Sequence, residues 1–544
     1  MIKVQDRGNK NWTYYQTEGW GMTIDFENDP YNSCGYFKEG KLRNNNKEHT
    51  FSNVEDLIDF FKYLKQSYPL VTRNVHSKDV LVIYTDNLRK AKGFLGPWIT
   101  NVFSNLYFQV LDNIEIRPCW IKEIKEEPVD LEYITNWAQK MIDEVFIPDR
   151  YFYITPNQTV RRRMKKACKD DIAKDIFPDS YEEYNWIREA LFGGACYCPY
   201  PGMVVEEPMI AIDLKSAYIY CLCIKKHCMS ASREVDTDTW DFYLDSQNKG
   251  SIGEYEITYT ATKKNIRCYK NKDGERLQIG ENVTETMVFT NIDLKIFLDN
   301  FTVSKVECTD LVEYDMDYLP KYMVDSLIKE FILKEELKAS FDEELARIQK
   351  IIVNGEYGET IRKLKSRTEW KNALDNTVVA PQWGIFCTSY CKKQLLSLAL
   401  QLAGWIYSDT DSIYCLDTKR NRELIEEFNN TVREEIKEWC DKFGYEYEKL
   451  KNMGCFMVEH EIKKFRAVKQ KQYVFTTVND KMYVKAAGCN KERIKKNDDL
   501  YDAATLSSGI VIKHVEDDYY WEEPLGAAAA EIMVPLYTAI NTET

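Results

Sequence analysis

Apolar and polar residues alternate along the chain with two different periods. Residues 54–64 repeat apolar positions at helical spacing, whereas 80–84 and 209–213 are short apolar runs of the length expected for buried strands. A long helical pattern runs from about 323 to 365, and strand-like segments resume near Tyr473. The sequence therefore predicts a mixed α/β region over the first 150 residues, followed by a larger region of α/β and α+β character.

The apolar run at 209–213 ends in a carboxylate, Asp213, and is followed by a helix-compatible segment that carries Ser216 and Tyr218. Carboxylates at strand ends are common in α/β proteins, so Asp213 by itself indicates little. Asp213 indicates a functional site only together with two motifs that follow it in the chain.

The first of these is a helical segment that presents a cation, an amide and an aromatic ring on one face. At 100° per residue, Lys350, Asn354 and Tyr357 lie within about 60° of one another. Residues 340–343 read Ser-Phe-Asp-Glu, a capping-box pattern that starts a helix. Two more cations flank this face: Arg347 at its edge and Lys338 in the turn before the helix. An ordinary amphipathic helix would explain the spacing equally well, but it does not require the Asn-x-x-Tyr-Gly ending.

The second motif is Tyr-Ser-Asp-Thr-Asp-Ser at 407–412, with apolar residues on both sides. This pattern predicts a β-hairpin over 402–416 with Asp409 and Asp411 at its tip. Two carboxylates held so close repel each other unless a cation neutralises them, so a divalent metal is the expected partner. Aspartates in a solvated turn of an acidic chain are the simpler alternative.

Composition indicates how many domains the chain forms and in which compartment it folds. With 544 residues and 44% hydrophobic content, the chain is expected to form two or more globular domains. Its 16 cysteines include no C-x-x-C pair, and the pairs Cys196/Cys198 and Cys221/Cys223 favour buried thiols over zinc ligands. Neither a signal peptide nor a membrane span is expected, so the sequence predicts a reduced, cytoplasmic protein.

The net charge of −14 argues against a nucleic-acid partner, but local clusters of charge decide such binding. Basic residues concentrate at 161–169, 463–471 and 491–496. The second cluster is interleaved with aromatic residues, and strand alternation would point Lys471 and Tyr473 to one side, toward a phosphodiester backbone. A solvated surface is the simpler explanation of any one cluster.

The chain resembles the family B DNA polymerases, whose motifs A, B and C occur here in the same order. Residues 213–218 are similar to the D-x-x-S-L-Y of motif A, and 407–412 match the Y-x-D-T-D-S of motif C. Residues 350–358 match the K-x-x-x-N-S-x-Y-G of motif B, except that Gly355 replaces the serine. Residues 471–473 are similar to the K-x-Y element of the thumb side.

Within that family the chain resembles the protein-primed branch of small phages and linear plasmids. The segment at about 287–322 is similar to the first insertion of that branch, and 485–491 resembles the opening of its thumb. About 22 residues separate Gly358 from Pro381, so the second insertion is predicted to be short, with lower processivity and weaker strand displacement.

The resemblance implies a right-hand polymerase with palm, fingers and thumb, preceded by an RNase H-like domain of the 3′–5′ exonuclease type. It divides the chain into an exonuclease-like domain, a basic linker, the palm with the fingers, and the palm end with the thumb: 1–150, 151–192, 193–470 and 471–544. Within the third part it places the first insertion, the fingers and the motif C hairpin at about 287–322, 323–365 and 402–416.

The resemblance also implies a DNA-directed DNA polymerase that adds deoxynucleotides to a primer 3′-hydroxyl with two Mg²⁺ ions, for which Mn²⁺ can substitute. The metal ligands would be Asp213, Asp411 and the backbone carbonyl of Leu214, with Asp409 as a supporting carboxylate. The residues implied at the incoming nucleotide are Tyr218, Lys338, Arg347, Lys350, Asn354 and Tyr357. Those implied at the primer and DNA are Gly193, Gly194, Lys471 and Tyr473. The expected partners are template-primer DNA, dNTP and a terminal protein that supplies the first hydroxyl, with no membrane.

The N-terminal domain departs from the family in its nuclease motifs. Asp25 and Glu27 match the D-x-E of the first exonuclease motif. In the best matches to the second and third motifs, Ala91 and Trp137 stand where carboxylates belong, and Lys90 replaces an aromatic residue. Because two-metal hydrolysis needs several carboxylates, the sequence predicts that 3′–5′ proofreading is lost. Three other carboxylates would fit a displaced alignment: Asp86, Asp143 and Asp149.

Two other classes of function compete with this interpretation. One is a nuclease built around Asp25 and Glu27 with an inactive polymerase half, and the other is a non-catalytic DNA-binding or replication-scaffold protein. The complete metal-binding motifs argue against both. Among polymerases, primer-independent initiation is the alternative to protein priming.

Overall fold

The computed structural model of the chain describes residues 2–5, 12–15, 20–29, 32–44, 47–67, 81–86, 88–103, 107–111, 114–118, 131–140, 175–262, 265, 268–339, 343–376, 380–486, 512–516 and 519–523. The chain forms two compact units: Met1–Thr159 with Glu336–Ile351, and Val160–Glu335 with Ile352–Thr544. The boundary between the units therefore falls twice within the helical region predicted at 323–365.

The smaller unit is built on a seven-stranded mixed sheet. Its described elements are β1 (Ile2–Gln5), β2 (Trp12–Tyr15), β3 (Trp20–Asp29), β4 (Asn32–Arg43), β5 (Glu48–Phe51), α1 (Val54–Ser67), β6 (Leu81–Thr85), α2 (Leu88–Leu95), β7 (Ile99–Phe103), β8 (Tyr107–Val110), β9 (Ile114–Pro118) and α3 (Leu131–Lys140). The sheet order is β5-β4-β3-β6-β9-β8-β7, and β6 runs parallel to both β3 and β9. This is the RNase H-like arrangement that the resemblance predicted.

Strand β3 of this unit shows why the sheet has helices on both faces. Trp20 and Met22 are buried in an apolar core to which α1 and α2 contribute, and Ala91 of α2 is completely buried in the same core. Gly21 points the other way, where a Cβ atom would lie 2.8 Å from the Thr135 hydroxyl of α3. Alternation along one strand therefore packs two layers of helices.

The larger unit contains two main sheets. Its described strands are β10 (Ala195–Tyr197), β11 (Val204–Val205), β12 (Met209–Leu214), β13 (His227–Cys228), β14 (Arg233–Glu234), β15 (Lys249–Ala261), β16 (Gly280–Thr290), β17 (Thr302–Asp317), β18 (Tyr407–Thr410), β19 (Ser412–Leu416), β20 (Phe456–Lys469), β21 (Gln472–Thr477), β22 (Met482–Ala486), β23 (Ile512–Glu516) and β24 (Tyr519–Glu523).

Its described helices are α4 (Tyr181–Glu189), α5 (Ala217–Ile224), α6 (Asn291–Asn300), α7 (Lys321–Ala339), α8 (Glu343–Thr360), α9 (Arg367–Asn376), α10 (Pro381–Ala399), α11 (Lys419–Phe443) and α12 (Tyr447–Leu450). Helices α7 and α8 cross the boundary between the units, after Glu335 and after Ile351.

The first sheet of the larger unit has eight strands in the order β10-β18-β19-β12-β20-β21-β22, and β11 pairs with β20. All pairs of neighbouring strands in this sheet are antiparallel. Strand β12 is central, and the side chains of Ile210 and Ile212 are completely buried. Helix α5, which follows β12, is apolar on every side and packs against α10. The strand that ends near Asp213 is therefore held rigidly at the centre of this unit.

The second sheet has five strands in the order β13-β17-β15-β16, with β14 paired to β17. The segment 287–322, predicted as the first insertion, corresponds here to the end of β16, helix α6 and strand β17. Its strands pair with β15, which precedes the segment in the chain. The segment is thus an integral part of this sheet.

Several predicted element boundaries differ from the structure. The hairpin predicted over 402–416 is shorter, because β18 begins at Tyr407. Part of the predicted linker is folded: residues 175–190 include α4, whose Tyr184 and Ile187 are completely buried. The strand-rich region near Tyr473 begins earlier, with β20. Among the residues placed by the structure, no helix is both long and apolar enough to cross a membrane.

Candidate active site

Asp213 lies near the end of the central strand β12, beside the predicted hairpin. Strands β12 and β19 are antiparallel, and Asp213 is opposite Ser412. Strands β18 and β19 place Asp409 on the other side of Ser412, with Asp411 in the turn between them. Residues directly opposite on neighbouring strands share one face of the sheet. The structure thus brings the three predicted aspartates to one end of three adjacent strands.

Backbone hydrogen bonds fix the chain that follows Asp213. The N–H of Leu214 donates to the carbonyl of Asp411 at 2.9 Å. Lys215 donates its N–H to the carbonyl of Cys455 at 2.9 Å, and its own carbonyl accepts from Gly454 at 2.7 Å. Asp213 and Asp411 therefore have defined positions next to each other before α5 begins.

The carboxylate of Asp409 has three side-chain partners, one of which is the hydroxyl of its neighbour Thr410, 3.5 Å from Oδ1. The thiol of Cys196, opposite it on β10, lies 3.5 Å from Oδ1 of Asp409, and the ammonium of Lys471 lies 3.7 Å from the same oxygen. Burial and the negative charge of Asp409 raise the pKa of the Cys196 thiol, so the thiol stays protonated and donates. These contacts suit the supporting role predicted for Asp409.

The paired glycines lie directly against the tip of the hairpin. A Cβ atom on Gly194 would lie 2.4 Å from Cγ2 and 2.8 Å from Cα of Thr410. Thr410 has a φ of 68°, and Gly193 has a φ of 70°. A non-glycine residue is uncommon in this left-handed region, so the turn between Asp409 and Asp411 is held by its surroundings. The predicted contact of Gly193 and Gly194 with DNA stays a prediction.

Two of the predicted nucleotide-binding residues contact each other. The rings of Tyr218 and Tyr357 stack with centroids 3.9 Å apart and planes within 2°. The hydroxyl of Tyr357 donates to that of Thr388 at 2.6 Å, since Thr388 donates to Gly384. Burial raises the pKa of both tyrosines, and the charge of Asp411 raises that of Tyr218 further. Neutral, stacked rings thus lie near the carboxylates.

The remaining predicted nucleotide-binding residues lie on α7 and α8. Lys338 is in the last turn of α7, where the sequence had placed it in a connecting turn, and its side chain is exposed. Lys350 and Asn354 are also exposed, whereas Tyr357 on the same helix is buried. The side chain of Arg347 lies outside the described residues, as does most of the capping box at 340–343. Their contact with a nucleotide stays a prediction.

The predicted primer-binding residues occupy a turn, where strand alternation was expected. Strand β20 ends at Lys469 and β21 begins at Gln472, with Lys471 between them at a φ of 61°. Lys471 is about half exposed, whereas Tyr473 is 3% exposed and its hydroxyl accepts from Tyr414. The expectation that both side chains point to one surface is therefore wrong, because the hairpin turn reverses the chain between them.

The basic cluster at 463–471 is partly neutralised. Lys464 lies 3.0 Å from Glu206, Lys463 pairs with Asp480, and Lys471 pairs with Asp409. The clusters at 161–169 and 491–496 lie outside the described residues.

Two charged residues at the site were missed by the sequence reasoning. Lys334 and Glu335 on α7 contact the side chains of Ser216 and Lys215, respectively, in the turn after Asp213. A signal was present, because Lys334 continues the apolar stripe of Leu327 at helical spacing. A lysine on the buried stripe of a helix indicates a specific partner.

In the smaller unit, Asp25 lies on β3 and is exposed. Glu27 is on the same strand, but its side chain is outside the described residues, as are those of Lys90, Tyr133 and Trp137. Ala91 is completely buried in the apolar core. Asp86 is exposed and accepts from the Thr85 hydroxyl, whereas Asp143 and Asp149 are outside the described residues.

The acidic end of the eight-stranded sheet fits divalent ions that take part of their coordination from substrate. Asp213 and Asp411 offer two carboxylates from segments joined by a hydrogen bond. Within the described ranges, no group of three or more His, Cys, Asp or Glu side chains has the geometry of a metal site. Mg²⁺ commonly binds one or two carboxylates and completes its shell with water and phosphate oxygens, which is what this donor set allows.

Comparisons with known proteins agree with the motifs. Residues 130–370 match the family model described as DNA polymerase type B, organellar and viral. No curated protein matches the sequence. The fold matches Phi29 DNA polymerase complexed with primer-template DNA, with a TM-score of 0.60, 14% identity and coverage of 94% of this chain and 98% of that chain. It also matches the Phi29 ternary complex with incoming nucleotide substrates, with a TM-score of 0.58, 14% identity and coverage of 89% and 94%. The predicted resemblance and fold class are confirmed.

Proposed function

We propose that this chain acts as a DNA-directed DNA polymerase of type B, extends a primer by two-metal nucleotidyl transfer and replicates a protein-primed genome. One observation carries the proposal of chemistry: the hydrogen bond from Leu214 to Asp411 sets the two carboxylate-bearing segments side by side. A phage or a linear plasmid is the proposed source, and the cytoplasm of the host cell is the proposed location.

Asp213, Asp411 and the carbonyl of Leu214 would hold two Mg²⁺ ions. Family B polymerases use divalent metal ions, and such ions make a 3′-hydroxyl nucleophilic and stabilise charge on the in-line transition state. Lys471 and the Cys196 thiol keep Asp409 in place beside them. The primer 3′-oxygen bonds to the α-phosphorus of the dNTP, and the bond from that phosphorus to pyrophosphate breaks.

The stacked pair Tyr218 and Tyr357 would receive the deoxyribose of the incoming dNTP. Tyr218 is held by the ring of Tyr357, which is held in turn by Thr388. A rigid ring excludes a 2′-hydroxyl sterically, so Tyr218 is the proposed sugar gate. The family resemblance, and not the structure, assigns Lys338 and Lys350 to neutralise the triphosphate; both side chains are exposed.

The DNA partner is proposed from the motifs and from the relatives. Structures of Phi29 DNA polymerase hold primer-template DNA and single-stranded DNA. Here Lys471, half exposed and paired with Asp409, would contact the primer backbone near its 3′ end. Tyr473 would act indirectly, through its hydrogen bond with Tyr414 beneath the hairpin.

Primer extension tests the proposed chemistry. The purified chain is incubated with a labelled primer-template and dNTP, with Mg²⁺, with Mn²⁺, or with a chelator. Template-dependent extension that requires the metal is expected. Template-dependent binding without extension would favour a replication scaffold, and shortening of the primer would favour a nuclease.

Protein priming rests on the segment 287–322 and on the likeness in fold to Phi29 DNA polymerase. Incubation of the enzyme with a candidate terminal protein from the same genome, Mg²⁺ and one labelled dNTP should label that protein covalently. Efficient copying of RNA-primed templates, with no genome-encoded protein labelled, would contradict protein priming. Primer-independent initiation would then be preferred.

A further inference from the structure

A buried lysine contacts the turn that follows Asp213. Lys334 on α7 is 5% exposed, and its ammonium donates a hydrogen bond to the hydroxyl of Ser216. The same ammonium lies 3.3 Å from Oε1 of Glu335 and 4.9 Å from the centre of the Phe331 ring. Burial of an ammonium is unfavourable unless it is paired and hydrogen-bonded. The turn after Asp213 thus supplies a specific partner for a cation that apolar packing alone would not accommodate.

Glu335 extends this contact to the neighbouring residue of the turn. Its Oε2 atom lies 2.5 Å from the ammonium of Lys215. Two consecutive residues of α7 therefore bind two consecutive residues of the turn, Lys215 and Ser216. Glu335 is also the last residue of α7 that belongs to the larger unit.

The conformation of Ser216 shows what the contact with Lys334 does. Ser216 has a φ of 53° and a ψ of 46°, which is left-handed and uncommon for a residue other than glycine. It occupies the N-cap position of α5, where a serine hydroxyl commonly accepts from the backbone of the first turn. Here the side chain makes no capping hydrogen bond and accepts from Lys334. The lysine therefore takes the place of the cap in fixing this residue.

The turn lies between the proposed metal ligands and the proposed sugar gate. Asp213 and Leu214 precede it, and Tyr218 follows Ser216 by two residues. A change in the dihedral angles of Ser216 would move the start of α5, and with it the ring of Tyr218, relative to Leu214. The dNTP would contact both sides of the turn.

We propose that Lys334 and Glu335 are positioning residues that fix the turn at Lys215 and Ser216, and so set nucleotide affinity and sugar selection. The inference rests on the proposed function, because it assigns these residues to the same nucleotide site. Neither residue touches the reacting atoms, so their effect is expected on KM for dNTP and on the choice between dNTP and rNTP.

Steady-state single-nucleotide insertion by the full chain tests the proposal, with dNTP and rNTP as the probes. Lys334→Met removes the charge and keeps the length of the side chain. It should raise KM for dNTP about tenfold, the size of effect seen when a residue that orients a metal ligand is lost, and it should change kcat less. It should also lower the preference for dNTP over rNTP. Lys334→Arg, which keeps the charge, should recover part of both effects.

Lys329→Met is the matched control, because Lys329 is an exposed lysine on the same helix. It should leave KM, kcat and the sugar preference at wild-type values. Combining Lys334→Met with Ser216→Ala should raise KM by less than the product of the two single effects, since both substitutions remove the same hydrogen bond, the one between Lys334 and Ser216. Unchanged KM and sugar preference in Lys334→Met, or independent effects in the double variant, would overturn the proposal.

Further outcomes distinguish a folding defect, a failure of the proposed function and a failure of the positioning role. If Lys334→Met does not fold, Ser216→Ala and Glu335→Gln carry the test, and wild-type KM and sugar preference in both would overturn the proposal. A wild-type chain that extends no primer would contradict the proposed function itself. A wild-type chain that extends primers normally, beside variants without effect, would contradict the positioning role alone.

Discussion

Two sheets in this chain each carry an aspartate on an inner strand, but their surroundings differ. At Asp213 of β12, the adjacent hairpin brings Asp409 and Asp411 to the same end of the sheet. In the sheet that carries Asp25 on β3, helix α2 places Ala91 in the apolar core. Ala91 stands at the position where the second nuclease motif requires a carboxylate. The three predicted aspartates lie together at one sheet, whereas the carboxylates required by the predicted nuclease motifs are not found together among the described residues of the other.

The comparison teaches that a fold and its chemistry depend on different residues. The sheet of the smaller unit requires apolar residues such as Trp20, Met22 and Ile83, and these are buried as the pattern demands. Its nuclease activity would require charged residues that contribute little to that core. A domain of this kind can lose its catalytic groups without losing its structure.

The strongest test of the complete site is Asp411→Asn. Loss of a metal-ligand charge should remove several kcal/mol of transition-state stabilisation, which corresponds to roughly 10³-fold in the rate of primer extension. Lys350→Ala removes one of several cations proposed, from the motif resemblance, to neutralise the triphosphate, and should reduce the rate much less. Steady-state primer extension measures both, and a wild-type rate for Asp411→Asn would contradict the two-metal mechanism.

Sugar selection provides the next largest effect. Tyr218→Val removes the ring that stacks on Tyr357, so the preference for dNTP over rNTP should fall by roughly 10- to 100-fold, the scale of one steric contact. The ratio of kcat/KM for the two nucleotides measures this preference. Tyr357→Val is the comparison variant, and an unchanged ratio in Tyr218→Val with a reduced ratio in Tyr357→Val would move the gate to Tyr357.

The strand that carries Asp213 and the hairpin that carries Asp409 and Asp411 could be predicted from sequence, because each is a short segment. The apolar run before Asp213 and the hairpin around Asp409 and Asp411 depend on neighbouring residues, and the structure has both elements. Lys471 and Tyr473 were placed wrongly, because a left-handed turn interrupts the alternation between them. The contact of Lys334 with Ser216 joins residues 118 positions apart, and local periodicity carries no information about such a pairing.

The close approach of Gly194 to Thr410 predicts a smaller effect on the complete site. In Gly194→Ala the new Cβ atom would lie 2.4 Å from Thr410, so the hairpin tip must shift. Overpacking of this kind costs about 1–3 kcal/mol of folding free energy, and kcat should fall more than KM rises. Gly96→Ala is the control, since a Cβ atom there meets nothing within 4 Å. Equal kcat values in the two variants would show that Gly194 does not position the hairpin.

The smallest expected effect concerns the seven-stranded sheet of the smaller unit. There we expect Asp25→Ala to leave nuclease activity unchanged. Asp25 is exposed on β3 and would be one of several carboxylates needed to hold two ions. The position matched to the second nuclease motif, Ala91, faces a completely apolar core, so it cannot supply another.

The measurement is degradation of a 5′-labelled single strand with Mg²⁺ or Mn²⁺ and no dNTP. Wild type and Asp25→Ala should both leave the strand intact. A contaminating nuclease would shorten the strand equally in both preparations, so shortening alone does not decide the question. A ladder of products that disappears only in Asp25→Ala would show that proofreading is intact. Asp86, at the end of the neighbouring parallel strand, would then be the first candidate for the second carboxylate, because parallel strands deliver their carboxyl ends to one edge of the sheet.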